Sequence, residues 1–152
     1  MQAPIHVGDP TYAADWAGDA ALVKSSFDRI WPRARHAADV FYDRLFKIAP
    51  QLRPLFRGDM AEQKQKFMAT LAILVGSLDD MEDLLPRAER LARQHLLYGV
   101  HESDYLLVGQ ALFWTLEREL GADWTPAVAA AWRRTYEAVA GYMIQESGAA
   151  RT

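Results

Sequence analysis

The sequence predicts an all-α fold in which about six to eight helices pack in pairs around one core. Apolar residues recur with the period of a helix through most of the chain. No segment alternates apolar and polar residues as a half-buried strand would. Prolines and glycines stand between the periodic segments, where helices begin and end.

The composition indicates a single domain without disulfides. The 152 residues, 51% of them hydrophobic, can bury about two-thirds of the extended-chain surface. A net charge of −3 offers no basic surface for nucleic acid. The absence of cysteine excludes disulfides, zinc–thiolate sites and iron–sulfur clusters. No apolar run approaches the roughly 20 residues of a membrane span, and no signal peptide is recognisable, so we expect a cytoplasmic protein without a membrane partner.

Turn-forming residues divide the chain into an arm, a domain and a tail. Pro4, Gly8 and Pro10 interrupt any helical period, so residues 1–17 are predicted to form an irregular N-terminal arm. The domain then covers residues 18–147, and residues 148–152 form a C-terminal tail. Within the domain, the periodic segments predict helices over residues 19–31, 32–49, 59–78, 84–98, 103–120 and 125–146.

The helix over residues 84–98 carries a histidine on its buried face. At about 100° per residue, Leu84, Ala88, Leu91 and His95 lie within an arc of roughly 60°. Gly99 follows where the helix would stop. Imidazole is the commonest metal ligand, and a histidine at a buried helix face is what a five-coordinate haem iron requires. From this pattern alone, a core histidine without any ligand is the more common case.

Three more chemically distinctive residues are predicted to point inward. Tyr42 lies in the middle of the apolar face of its helix, and Phe56 is presented by a proline-rich corner. Gln63 interrupts an otherwise apolar stripe. A buried amide without partners costs about 1–3 kcal/mol, so this end of its helix is either hydrated or has a group to bond.

Together with their neighbours, these residues resemble the globin family. The resemblance covers about residues 22–143 and is closest to bacterial single-domain, flavohaemoglobin-like globins and to the neuroglobin-like group. It depends on the order and spacing of five short motifs: Tyr42-Asp43-Arg44-Leu45-Phe46 followed by Pro50, Pro54-Leu55-Phe56, Gln63 with Lys66, His95-Leu96-Leu97-Tyr98-Gly99-Val100, and Ala131-Trp132.

The resemblance implies a globin fold around a haem pocket that holds haem b. His95 matches the proximal residue that coordinates the iron, and Phe56 matches the phenylalanine that wedges the macrocycle. Lys66 matches a residue that reaches a haem propionate. Tyr42 and Gln63 match distal positions, where a phenol and an amide donate hydrogen bonds to a diatomic ligand.

Five further positions are implied to line the cofactor: Phe67, Leu91, Val100, Tyr105 and Val108. Phe67 departs from the family pattern, which usually has a smaller aliphatic residue there. A phenyl ring at this position would narrow ligand access or push Gln63 aside.

The resemblance implies reversible binding of O2, and of other diatomic ligands such as NO, before any enzymatic role. In flavohaemoglobins, which oxidise NO, a tyrosine and a glutamate hydrogen-bond the proximal histidine. Tyr105 matches the tyrosine, but Ser147 occupies the glutamate position. Glu146 precedes it by one residue and is rotated by about 100° around the helix. The sequence contains no nucleotide-binding glycine motif, so NO dioxygenation would need an external reductase. The alternative is a haem-free, globin-shaped interaction or signalling module.

Overall fold

The computed structural model describes the backbone of residues 10–151 and the side chains of residues 16–147. Within that range the chain forms helices and no strand, which confirms the all-α prediction. Short 3₁₀ helices cover Trp31–Arg33, Pro50–Leu55 and Gly121–Asp123. The α-helices are α1 (Pro10–Ile30), α2 (Ala34–Ile48), α3 (Met60–Gly76), α4 (Met81–Leu97), α5 (Glu102–Leu120) and α6 (Pro126–Arg151).

Local signals explain most helix boundaries. Pro32 lies in the 3₁₀ turn between α1 and α2, because proline fits the first turn of a helix and not its interior. The Asp59 carboxylate accepts a hydrogen bond from the Ala61 amide at 2.9 Å and caps α3. After α4, Gly99 adopts a φ of 84°, a left-handed conformation that glycine tolerates without strain. The chain can therefore turn directly into α5.

The two terminal boundaries differ from the prediction. Helix α1 begins at Pro10, so the irregular arm predicted for residues 1–17 is wrong for residues 10–17, while residues 1–9 lie outside the described residues. Helix α6 continues to Arg151 instead of ending at residue 146. A proline at the first helical position lacks only an N–H that would have no partner there, and an interior glycine such as Gly18 costs about 1 kcal/mol. Neither signal is strong enough to stop a helix.

The helices pack in pairs, as the sequence predicts. Helix α1 lies against α6, α2 against α5, and α4 also against α6. Polar contacts join α1 to α6 within this core: the Trp132 indole donates to the Ser26 hydroxyl at 2.8 Å, and Arg134 binds the buried Asp19 carboxylate through two nitrogens. No helix in residues 10–151 is long and apolar enough to cross a membrane.

Helix α3 buries the face predicted from its periodicity only in part. The predicted inward line is Met60, Gln63, Phe67, Leu71, Leu74 and Leu78. Leu78 is buried just after α3 and the other five are partly buried, whereas Met68 and Val75 are the fully buried residues of the helix. The reason is tertiary, because α3 packs mainly on α2 and α1 and makes little contact with α4.

Candidate functional site

We call the residues around the histidine of α4 the proximal side: His95 on α4, Tyr105 on α5 and Ser147 on α6. His95 Nδ1 lies 3.2 Å from the Tyr105 hydroxyl, and the Ser147 hydroxyl donates to the Ala92 carbonyl at 3.4 Å. His95 Nε2 makes no hydrogen bond to any described residue. One ring nitrogen of His95 is therefore held by the protein, while the other is available to a ligand.

Burial controls ionisation on the proximal side. It lowers the pKa of His95, so the imidazole stays neutral, which is the form that binds a metal. Burial also raises the pKa of Tyr105, and the contact with Ser147 lowers it to a smaller extent. Glu146 instead lies near Tyr142, in line with its predicted rotation away from Tyr105. Burial raises the pKa of Tyr142, and the negative charges of Glu146 and Glu89 raise it further. Among the described residues, no carboxylate contacts the Tyr105 hydroxyl.

A close contact between α5 and α6 positions Tyr105. The Tyr136 hydroxyl on α6 donates to the Tyr105 carbonyl at 2.5 Å. Its ring lies directly over Gly109, where an added Cβ would stand 2.7 Å from a Tyr136 ring carbon. Sequence reasoning missed Tyr136, and the only available signal was a glycine in the interior of α5.

The distal side consists of Tyr42 on α2, Phe56 after the second 3₁₀ helix, and Gln63 and Phe67 on α3. The Tyr42 ring is 3% exposed and is held edge-on between Phe56 at 5.3 Å and Phe67 at 5.7 Å. Burial raises the pKa of Tyr42 to about 12, and its hydroxyl has no hydrogen-bond partner among the described residues. The phenol is therefore a fixed donor without a protein acceptor.

Phe67 stacks on a neighbour, Phe41, that the sequence pattern places only as core packing. Its ring stacks on Phe41 with the centroids 4.2 Å apart and the planes 10° from parallel. Because Phe41 directly precedes Tyr42 on α2, the stack joins the distal parts of α2 and α3. The sequence shows both phenylalanines but not their pairing.

The two polar residues predicted on α3 are less constrained than Tyr42. The Gln63 amide is partly exposed and donates to the Arg57 carbonyl at 3.4 Å, which is long for a hydrogen bond. Lys66 is exposed and has no ion-pair partner within residues 16–147. The neighbouring Lys64 is instead paired with Asp39 at 3.0 Å. Lys66 thus remains available to a carboxylate outside the chain.

The remaining predicted lining residues are apolar and only partly buried. Leu91 lies one turn before His95, Val100 follows α4, and Val108 is on α5; each is partly buried. The described residues contain no group of three protein side chains that could hold a metal ion. One histidine with an unbonded Nε2 and several partly buried apolar side chains fit a flat macrocycle, such as haem, that takes a single ligand from the chain.

Comparison with known proteins decides the family. The family model described as Globin matches residues 39–143, which is more than half of the chain and includes both sides of the site apart from Ser147. This chain belongs to the globin family. Membership supports haem binding by this globin in general terms.

Relatives and solved structures agree with this assignment. The globin is 31% identical to the Flavohemoprotein of Bordetella parapertussis over 127 residues, which is 82% of this chain but only 32% of that protein. It is 26% identical to the Neuroglobin of Tetraodon nigroviridis, covering 82% of this chain and 87% of the neuroglobin. The bacterial globin of Campylobacter jejuni shares the fold, with a TM-score of 0.76, 18% identity, and coverage of 89% and 98% of the two chains.

Proposed function

We propose that this globin binds haem b through His95 Nε2 and reversibly takes up O2, with NO as a further ligand. The observation that supports this most directly is the asymmetry of His95, whose Nδ1 contacts Tyr105 while Nε2 has no partner among the described residues. When bound, haem would supply an iron that can bind a diatomic molecule reversibly. The Bordetella relative is itself named a flavohemoprotein, in line with this cofactor.

The chain's own residues divide the remaining tasks. Apolar side chains would pack against the macrocycle and exclude water from it. They are the aromatic rings of Phe56, Phe67 and Tyr105 and the partly buried aliphatic side chains of Leu91, Val100 and Val108. Lys66 pairs with a propionate at the edge. Tyr42 would donate a hydrogen bond from its hydroxyl to the diatomic ligand, and Gln63 would contribute a weaker amide hydrogen bond. A donor that is already oriented costs little further entropy when the ligand arrives.

NO dioxygenation is a secondary activity in this proposal. It requires electrons from a reductase, which we propose as a partner; this chain spans 32% of the length of its flavohemoprotein relative. The described proximal side also offers Ser147 rather than a carboxylate next to Tyr105. A hydrogen bond to a neutral group makes a histidine less basic than a hydrogen bond to a carboxylate-linked group does. His95 is therefore a weaker electron donor than a histidine with a carboxylate on its proximal side.

An absorbance experiment tests the proposal. The purified chain supplied with haem is expected to show a strong Soret band, and after reduction the spectrum is expected to change reversibly between argon and air. His95→Ala should lose haem at least about tenfold faster to an acceptor protein, since loss of an axial ligand costs well over 1.4 kcal/mol. His36→Ala, which changes an exposed histidine on α2, is the control and should retain haem. A chain that shows no Soret band after unbound haem has been removed would instead support the haem-free interaction module.

A further inference from the structure

Two arginine side chains lie over one tryptophan ring where α2 packs against α5. The guanidinium carbon of Arg44, on α2, is 4.6 Å from the centroid of the Trp114 ring, and that of Arg118, one turn further along α5, is 4.5 Å from it. A guanidinium group over an indole is attracted by the negative charge of the ring face. We call Arg44, Trp114 and Arg118 the arginine cluster.

The two positive charges of the arginine cluster have no partner of opposite charge within the described part of the chain. Because each guanidinium carbon is within 4.6 Å of the same ring centroid, the charges are at most about 9 Å apart and repel each other. Neither arginine forms an ion pair or a hydrogen bond with another described residue, whereas Arg29 on α1 is paired with Asp123 at 2.9 Å. The N–H groups of both guanidinium groups are therefore available to an anion from outside the chain.

An open cleft beside Trp114 has room for more than a single ion. Its volume is about 540 Å³, and it is lined by Trp114, Glu117, Arg118 and Gly121. Sites for small organic molecules usually measure about 300–1,000 Å³. Glu117 brings a negative charge to the wall of the cleft, but it forms no ion pair with a described residue. A ligand can thus combine an anionic group at the arginines with an organic part in the cleft.

We propose that the arginine cluster binds the phosphate group of a small phosphate monoester whose organic part lies in the cleft. The fork of N–H groups on a guanidinium matches two oxygens of a carboxylate or a phosphate. One arginine occupies both oxygens of a carboxylate, whereas the three terminal oxygens of a phosphate monoester, with a charge of about −2 at neutral pH, can serve two arginines. Arg44 is rotated by about 200° from Tyr42 around α2, so this site is separate from the distal side and goes beyond the proposed function.

Titration of the full, ¹⁵N-labelled chain measures this binding. The probes are phenyl phosphate, benzoate, which carries the same ring on a carboxylate, and inorganic phosphate. The readout is the shift of the Trp114 indole N–H signal, which Trp114→Phe identifies. Phenyl phosphate is expected to bind at least about fivefold more tightly than either of the other probes, with and without haem.

Substitutions test the contribution of each charge. Arg44→Gln and Arg118→Gln should each weaken the binding of phenyl phosphate about tenfold, because each removes a charge-assisted hydrogen bond. Glu117→Gln removes the negative charge from the wall of the cleft and should tighten the binding about twofold. Arg90→Gln removes the same charge as the arginine variants from an exposed position on α4, and as the control it should change the affinity by less than about twofold.

The proposal is overturned if phenyl phosphate leaves the Trp114 signal unchanged up to about 10 mM, or if both cluster variants weaken binding no more than Arg90→Gln does. Benzoate binding as tight as that of phenyl phosphate would overturn the phosphate assignment, and equally tight binding of inorganic phosphate would overturn the role of the cleft. Because Arg118 and Glu117 are exposed, their variants keep the test available if Arg44→Gln does not fold. A chain that binds phenyl phosphate as expected but no haem would retain this inference and refute the proposed function.

Discussion

The proximal and distal sides satisfy their polar atoms in opposite ways. On the proximal side, the His95 Nδ1 and the hydroxyls of Tyr105 and Ser147 all have partners within the protein. On the distal side, Tyr42 is surrounded by aromatic rings and its hydroxyl has no acceptor among the described residues. The Tyr42 hydroxyl can therefore bond a ligand without first giving up a hydrogen bond within the described part of the protein.

The same chemical change on each side should therefore have different effects. In the haem-loaded globin, Tyr42→Phe is expected to speed O2 dissociation about 10- to 100-fold, because it removes a charge-assisted hydrogen bond. The matched change Tyr105→Phe removes a hydroxyl behind the histidine and should alter the rate less than about threefold. Stopped-flow O2 displacement by CO measures both. Equal rate changes in the two variants would show that the contrast between the sides has no functional meaning.

The contribution of the close contact between Gly109 and Tyr136 to stability can be tested by substitution at Gly109. Gly109→Ala places a methyl group against the Tyr136 ring and should destabilise the chain by about 1–3 kcal/mol in urea unfolding. Gly141→Ala in α6 is the matched control, because nothing lies within 4 Å of its added Cβ. That variant should be stabilised by up to about 1 kcal/mol. Destabilisation of similar size in both would exclude the close contact as the cause.

The distal amide should matter less than the distal phenol. Gln63 is partly exposed and its long contact with Arg57 leaves it loosely held, so Gln63→Leu is expected to change the O2 dissociation rate less than about fivefold. Gln65→Leu, at an exposed position of the same helix, is the control. An effect of Gln63→Leu larger than that of Tyr42→Phe would reverse the ranking of the two distal donors.

The smallest expected effect is the pH dependence of the haem-free chain. Burial lowers the pKa of His95, so the unfolded chain takes up a proton near pH 6.5 while the folded chain stays neutral. The stability that His95 contributes is thus complete above about pH 6.5 and is lost as the pH falls below it. Urea titrations between about pH 5 and 8 should show a shallower acid loss in His95→Gln than in the wild-type chain. Parallel profiles would contradict this account.

Local sequence signals account for the helices and for much of the candidate site. Pro32, Asp59 and Gly99 act on their own backbone within a few residues, so their effects can be predicted without the rest of the fold. The periodicity places Tyr42 on the buried face of α2, as found. It also places His95 toward the core, where the structure finds it partly buried. The start of α1 was missed because several weak signals at residues 1–17 compete there and none dominates.

Contacts between distant helices could not be read from the sequence. The stack of Phe67 on Phe41 and the clamp of Tyr136 over Gly109 each join two helices, and no local pattern states which residues will meet. The incomplete burial of the predicted face of α3 has the same origin, since α3 packs mainly on α2 and α1 and makes little contact with α4.

The amino-acid sequence by itself determines that this protein is helical, where most helices turn, and which side chains carry the chemistry of the site. Only the tertiary structure decides that Tyr105 on α5 contacts His95 and that Ser147 on α6 donates to the Ala92 carbonyl, in the helix that carries His95. The physical reason is range: helix periodicity and capping act over a few residues, whereas hydrogen bonds between helices depend on how three separate helices pack.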